Sequence, residues 1–99
     1  MIGIDLTKIK RFKNLSSRAV EHILAPKEIE VYKTLNKYQK PVFLATRWAL
    51  KEAIFKVDNR YGNFSSIEIT KHESGRYLFK NFNLSTTNDC GFVIAVAYK

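Results

Sequence analysis

The chain has 99 residues, of which 45% are hydrophobic, so it is long and apolar enough for one domain with its own core and is not compositionally disordered. Because Cys90 is its only cysteine, an internal disulfide and a cysteine-rich zinc site are excluded. No apolar run approaches the roughly 20 residues of a membrane span. We therefore expect a cytoplasmic protein. The net charge of +8 predicts an anionic partner, and charge alone leaves nucleic acid, a phosphate-rich cofactor and an acidic protein open.

The first third of the chain predicts a strand followed by two short helices. Met1–Leu6 is a short apolar strand with Asp5 near its end, and Thr7–Asn14 is basic and irregular. Ser16 and Ser17 are suitable caps for a helix that ends at Ala25-Pro26, and Lys27–Leu35 repeats the helical spacing.

A long helix is predicted to begin at Pro41 and to end near Asp58. From Val42 to Val57 the apolar residues occupy almost every side of the helix, which is typical of a buried helix.

The charged residues of this helix are its most informative feature. Glu52 and Lys56 lie one turn apart, about 40° from each other, on the side that carries small alanines. Charges on such a surface are expected to be paired, metal-bound or part of a functional site. Arg47 and Lys51, considered alone, are expected on a solvated face.

The second half of the chain has the two-residue period of strands. Ile67–Lys71 and Tyr77–Phe79 predict a hairpin, and Asn83–Thr87 and Phe92–Tyr98 predict two further strands joined by a tight turn at Asn88–Gly91. Helices early and strands late indicate a single α+β domain over residues 1–99, with an antiparallel sheet packed against the long helix.

Two carboxylates from distant segments, Asp5 and Glu52, are the kind of ligand that Mg²⁺ takes, with water and phosphate oxygens in its other positions. Lys56 and Arg47 are suited to phosphate binding, and Lys40 precedes the positive end of the long helix.

Three segments together resemble the holo-(acyl carrier protein) synthase family, the small bacterial 4′-phosphopantetheinyl transferases. Ile2-Gly3-Ile4-Asp5-Leu6 is similar to the family's G-[IL]-D motif, and Phe43–Ala53 with Lys56 is similar to R-[FW]-A-x-K-E-A-x-x-K. Ser85–Asn88 is similar to Ser-x-[ST]-His, with asparagine in place of the histidine.

The resemblance implies a 4′-phosphopantetheinyl transferase-like fold and an enzyme that moves phosphopantetheine from coenzyme A to a serine of apo acyl carrier protein, releasing adenosine 3′,5′-bisphosphate. It implies Asp5, Glu52 and Lys56 as catalytic residues, with Asp5 and Glu52 holding Mg²⁺, and either Glu52 or a metal-bound water as the base. The residues it assigns to coenzyme A are Lys40, Arg47, Lys56, Thr87 and Asn88.

The resemblance also implies two kinds of protein contact. Arg11, Arg18, His22 and Lys27 are expected to dock an acidic acyl carrier protein, and the family's homotrimer places each active site between subunits.

Two other functions compete with this one, and neither a membrane nor a nucleic acid is a partner in the favoured interpretation. A small basic RNA-binding domain would explain the size and charge, although no RNA-binding motif occurs in the chain. A non-catalytic module that binds the carrier protein would explain Asn88 in the place of the histidine.

Overall fold

Three antiparallel strands and one 19-residue helix form the centre of the computed structural model, which describes residues 1–99. The strands are β1 (Ile2–Lys8), β2 (Thr70–Lys71), β3 (Tyr77–Leu78), β4 (Asn83–Asp89) and β5 (Phe92–Tyr98). The helices are α1 (Ser17–Ile23), α2 (Pro26–Lys33) and α3 (Gln39–Val57), with short 3-10 helices at Ile9–Phe12 and Phe64–Ser66. The predicted α+β class and the antiparallel sheet are confirmed.

The main sheet has the order β1-β5-β4, and β2 and β3 form a separate two-stranded hairpin. In its register Ala95 of the central strand lies between Asp5 of β1 and Thr86 of β4. Because side chains alternate between the two faces of a strand, Asp5, Ala95 and Thr86 share the face that packs against α3.

The long helix α3 crosses that face of the sheet and is buried over most of its surface, as its sequence predicts. Leu44, Ala49, Leu50 and Ile54 are fully inaccessible to solvent. The helix begins two residues before Pro41 and ends at Val57, with Asp58 as its C-cap. No helix in the structure combines the length and the apolar character that crossing a membrane requires.

Gly3 allows β1 and α3 to approach closely. A Cβ atom on Gly3 would overlap the carbonyl oxygen of Ala53 and press on the Cβ of Lys56. We expect Gly3→Ala to lower the free energy of unfolding by about 3 kcal/mol, the upper end for overpacking, because backbone must move.

Urea unfolding of Gly3→Ala and of a matched variant, Gly62→Ala, checks this expectation. A Cβ on Gly62 would lie 3.5 Å from the ring of Phe55, an ordinary contact, so its effect should stay within about 1 kcal/mol. Equal losses in the two variants would contradict the close approach of β1 and α3.

Several element boundaries differ from the sequence predictions. Strand β1 continues to Lys8 and is followed by a 3-10 helix, where an irregular segment was expected. Ile67 and Ile69 are buried but lie before the two-residue strand β2. Asn88 belongs to β4, and the turn is confined to Cys90-Gly91, both with positive φ, as a two-residue hairpin turn requires.

Candidate active site

Strand β1 brings Asp5 next to the C-terminal half of α3, where Glu52 and Lys56 lie. The Nζ atom of Lys56 donates a hydrogen bond to the carbonyl oxygen of Ile4 at 2.7 Å and lies 3.4 Å from Oδ1 of Asp5. The second oxygen of Asp5, Oδ2, is buried and has no hydrogen-bond partner. A buried carboxylate oxygen without a partner is uncommon and requires a structural or functional explanation.

The two carboxylates are close enough to influence one another. Burial raises the pKa of Asp5, and the positive charges of Lys56 and Arg11 oppose this shift. Burial also raises the pKa of Glu52, and the negative charge of Asp5 adds to the increase. The structure therefore brings Asp5, Glu52 and Lys56 together, as expected from the sequence.

The donor set fits a hard divalent cation that keeps part of its coordination for water and substrate. The chain has no group of three or more His, Cys, Asp or Glu residues arranged to hold a metal ion. The pair of Asp5 and Glu52 offers carboxylate oxygens only, and Mg²⁺ is commonly bound by one or two carboxylates together with substrate phosphates.

Arg11 lies beside this pair of carboxylates. Its guanidinium donates a hydrogen bond to Oγ1 of Thr7 at 2.8 Å and packs over the ring of Trp48 at 5.8 Å. Burial raises the pKa of Asp5 and of Glu52, and the charge of Arg11 opposes this increase in both. The other residues expected to contact the carrier protein, Arg18, His22 and Lys27, are exposed on α1 and α2.

The expectation that Arg47 and Lys51 lie on a solvated face is wrong. Lys51 is fully buried and Arg47 is 6% exposed, because both cations pair with Glu28 of α2, which is 2% exposed. The Nζ atom of Lys51 lies 2.5 Å from Oε1 of Glu28, and Nε of Arg47 lies 3.0 Å from Oε2.

Glu28, which the sequence motifs do not include, is a member of this network. The local sequence nevertheless indicates a role for Glu28. It is the third residue of α2, a position at which a carboxylate commonly accepts a hydrogen bond from the backbone N–H of the N-cap residue, here Ala25. The structure shows this bond at 2.8 Å from the N–H of Ala25.

Arg47 and Asn88 line a cavity of about 730 Å³ bounded by α2, α3, β2, β3 and β4. Thr86 lines it with Asn88, because alternate residues of β4 share a face. Thr87, which was also expected to contact coenzyme A, is exposed on the opposite face of the sheet and does not line this cavity.

Lys40 lies outside that cavity. Its Nζ atom is 5.2 Å from the centre of the Tyr32 ring, and it borders a smaller cavity of about 390 Å³ together with Lys13 and Lys37.

The large cavity and the carboxylate pair lie on different sides of α3. Arg47 and Glu52 are separated by five residues, which is about 140° around the helix. One protomer therefore does not present both groups to a single ligand on one side of the helix.

Comparisons with known proteins identify the family of this chain. The family model for the 4′-phosphopantetheinyl transferase superfamily matches residues 1–97. A holo-(acyl-carrier-protein) synthase of Mycoplasma mobile is 46% identical over 99 residues, which cover 100% of this chain and 88% of that protein.

Solved structures extend the likeness to the fold. The holo-(acyl-carrier-protein) synthase of Bacillus anthracis in complex with CoA (3′,5′-ADP) has a TM-score of 0.82 and 26% identity, covering 97% of this chain and 91% of that one. The Helicobacter pylori synthase in complex with coenzyme A has a TM-score of 0.79 and 30% identity, covering 98% and 97%. The chain therefore belongs to the 4′-phosphopantetheinyl transferase superfamily, and within it to the holo-(acyl-carrier-protein) synthases.

Proposed function

We propose that this chain transfers 4′-phosphopantetheine from coenzyme A to a serine of an apo acyl carrier protein in a Mg²⁺-dependent reaction. The observation that carries the proposal is the pair of Asp5 and Glu52, with an unpartnered carboxylate oxygen beside the ammonium of Lys56. Coenzyme A in the Bacillus anthracis and Helicobacter pylori structures supports it as the cosubstrate.

In this reaction the serine oxygen forms a bond to the phosphorus that carries pantetheine, and the bond from that phosphorus to the departing adenosine 3′,5′-bisphosphate breaks. Mg²⁺ bound by Asp5 and Glu52 supplies charge neutralisation at the pyrophosphate. Lys56 is half-exposed and held by the carbonyl of Ile4, so its ammonium can contact a phosphate oxygen without losing its anchor.

The serine proton needs an acceptor, and either Glu52 or a water held by the metal is proposed for this role. Burial and the charge of Asp5 raise the pKa of Glu52 in the metal-free fold. A bound cation would oppose this increase, so the raised pKa does not favour one acceptor over the other.

The carrier protein is proposed to dock on α1 and the segment that precedes it. Arg18 and His22 lie one turn apart on α1 and are both exposed, while Arg11 is exposed beside the carboxylate pair and Lys27 is exposed at the start of α2. With a net charge of +8, this chain attracts an acidic carrier, and complementary charge raises the rate of encounter. The proposed reaction takes place in the cytoplasm.

Arg47 and Asn88 are proposed to contact the adenosine-side phosphates of coenzyme A from the large cavity, and Lys40 is proposed to contact them from the smaller cavity that it borders. Because this cavity and the carboxylate pair lie on different sides of α3, a coenzyme A molecule that contacts both sets is proposed to lie between two protomers. Thr87, on the outer face of the sheet, is available only to such a neighbouring protomer.

A homotrimer with active sites between subunits is part of this proposal, and the outer face of the sheet supports it. Ile2, Ile4 and Leu6 of β1 are 70%, 59% and 58% exposed, and Ile94 and Tyr98 of β5 lie beside them. Contiguous exposed apolar residues on one face are typical of an interface between proteins.

We expect Ile4→Arg to convert the assembly to monomers, because an arginine on this face places an unpaired charge in the interface. Size-exclusion chromatography with light scattering measures the mass, and transfer activity should fall with it. Leu78→Arg, at an exposed apolar position of β3 that does not line the large cavity, is the matched control and should leave the mass unchanged. A monomeric wild-type chain with full activity would contradict the assembly.

The transfer itself is tested by incubating the protein with coenzyme A, Mg²⁺ and an apo acyl carrier protein. Mass spectrometry should show one phosphopantetheine group added to the carrier, and chromatography should show adenosine 3′,5′-bisphosphate. A carrier with alanine at the acceptor serine is the control. No gain in carrier mass, while a known transferase modifies the same sample, would refute the proposal.

A further inference from the structure

We propose that Glu28 is a positioning residue for coenzyme A: it holds the guanidinium of Arg47 so that its two terminal nitrogens face the large cavity and bind a phosphoryl group on the adenosine side. The inference rests on the proposed function and assigns a role to a residue that lies outside the catalytic motifs.

Glu28 is fixed by more contacts than an ion pair alone would provide. Its Oε1 accepts hydrogen bonds from the N–H of Ala25 and from Nζ of Lys51, and its Oε2 accepts from Nε of Arg47 and, at 3.3 Å, from the N–H of Ile69. Two backbone donors from different segments thus set the carboxylate plane. Glu28 is therefore a rigid acceptor for the Nε side of Arg47, at the edge of the cavity that both residues line.

Arg47 is held on its flat faces as well as at Nε. Its guanidinium carbon lies 4.4 Å from the centre of the Phe43 ring and 5.2 Å from that of Tyr77. The side chain is 6% exposed, yet neither Nη1 nor Nη2 has a hydrogen-bond partner in the chain. Neither nitrogen is fully buried, because the only buried side-chain atom without a partner is Oδ2 of Asp5.

The free end of Arg47 therefore opens into the cavity that it lines. The cavity wall carries two further cations, Lys27 and Lys71, which balance the two carboxylates that also line it, Glu28 and Glu68, so that Arg47 is the excess positive charge. The polar side chains of Thr86 and Asn88 complete this part of the wall. A guanidinium with two free parallel N–H donors matches the geometry of two phosphate oxygens, whereas an ammonium acts as a point charge.

Positioning by Glu28 lowers the entropy cost of binding. An arginine free in solution loses rotamer freedom when a ligand orders it, whereas Arg47 is already ordered by Glu28, Phe43 and Tyr77. We therefore expect Glu28 to affect recognition of the phosphoryl group more than the transfer step.

Comparing coenzyme A with 3′-dephospho-coenzyme A isolates the contact. The measured quantity is the ratio of the KM values for the two compounds, supported by calorimetric Kd values, for the wild-type chain and three variants. Glu28→Gln removes the negative charge that holds Arg47. Arg47→Lys keeps a positive charge but loses the two terminal N–H donors of the guanidinium group. Lys51→Met removes a cation from the same network and leaves the pair of Glu28 and Arg47 in place.

We expect the wild-type chain to prefer coenzyme A, and Glu28→Gln and Arg47→Lys to reduce this preference about tenfold or more. Lys51→Met should keep the wild-type preference for coenzyme A over 3′-dephospho-coenzyme A. If the role of Glu28 were purely structural, Glu28→Gln and Lys51→Met would both change the stability of the fold. Neither variant would then change the preference for coenzyme A over 3′-dephospho-coenzyme A.

Each failure has its own meaning. If Glu28→Gln keeps the wild-type selectivity, the role of Glu28 is overturned. If Arg47→Lys keeps the wild-type selectivity, the phosphate contact is overturned. The Arg47 variant decides the question if Glu28→Gln does not fold. Either result leaves the transferase function standing, whereas an absence of transfer by the wild-type chain removes that function instead.

Discussion

Replacing Glu52 with glutamine is expected to lower the rate of phosphopantetheine transfer about a thousandfold, equivalent to about 4 kcal/mol of transition-state stabilisation. The variant removes one of the two carboxylates proposed to hold Mg²⁺ and leaves a side chain of the same shape. Glu30→Gln, on an exposed position of α2, is the matched control and should keep wild-type turnover. Full activity in the Glu52 variant would show that this carboxylate is not needed.

The same variant should be as stable as the wild-type chain or more stable when metal is removed. The pKa of Glu52 is raised in the folded state, so the favourable contribution of its protonated form is fully present below about pH 4.5 and is lost as the pH rises through the folded-state pKa. Near neutral pH the ionised carboxylate therefore costs stability, and Glu52→Gln removes this cost.

Thermal unfolding in EDTA at pH 7 and at pH 4 measures this difference in stability. The gain in Tm from Glu52→Gln should be larger at pH 7 than at pH 4. A variant that is less stable than the wild-type chain only at pH 7 would mean that the carboxylate is stabilised in the metal-free fold, contrary to its environment.

Replacing Glu28 with glutamine is expected to lower the free energy of unfolding by about 3 kcal/mol or more. Glu28 is the single carboxylate that balances two buried cations, Arg47 and Lys51, and its loss leaves both without a counter-ion. Because small domains are stable by about 5–15 kcal/mol, a folded but weakened protein is the expected state.

Lys51→Met is the informative comparison, because the network then keeps one anion and one cation. Burial lowers the pKa of Lys51, so its ammonium already carries a desolvation cost that the variant removes. In urea unfolding, we expect Lys51→Met to lower the free energy of unfolding clearly less than Glu28→Gln does. A loss as large as that of the glutamate variant would contradict the charge balance described for the network.

The elements that follow from local pattern were predicted well. The helix from Pro41 to Val57 and the strand Phe92–Tyr98 agree with the structure because each carries its own signal, an apolar helix surface in one and an apolar run after a Gly turn in the other. Ser16 was predicted as a cap, and its Oγ accepts the N–H of Ala19 at 3.2 Å.

The burial of Lys51 was not predictable from periodicity. Its partner Glu28 is 23 residues away in the sequence, and a charged residue on a buried helix is solvated, paired or functional according to what packs over it. The neighbouring pair Glu52 and Lys56 attracted attention for the same reason, yet it lies at a partly open surface where a ligand can reach it.

Pairing between segments also explains why the strands in the second half of the chain differ from those predicted from the sequence. Ile67 and Ile69 alternate as a strand would, but only Thr70 and Lys71 form ladder bonds, because the partner strand of the hairpin ends at Leu78, opposite Thr70. Thr87 and Asn88 are adjacent in the motif, but a strand directs them to opposite faces, so one motif contributes to two different surfaces.

The most direct measurement of the central claim, that Asp5 and Glu52 together hold Mg²⁺ against coenzyme A, is calorimetric titration of coenzyme A with and without Mg²⁺. In the wild-type chain we expect Mg²⁺ to tighten binding about tenfold or more, and we expect this gain to disappear in Asp5→Asn and in Glu52→Gln. An equal gain in all three proteins would contradict the claim, because the cation would then be held elsewhere.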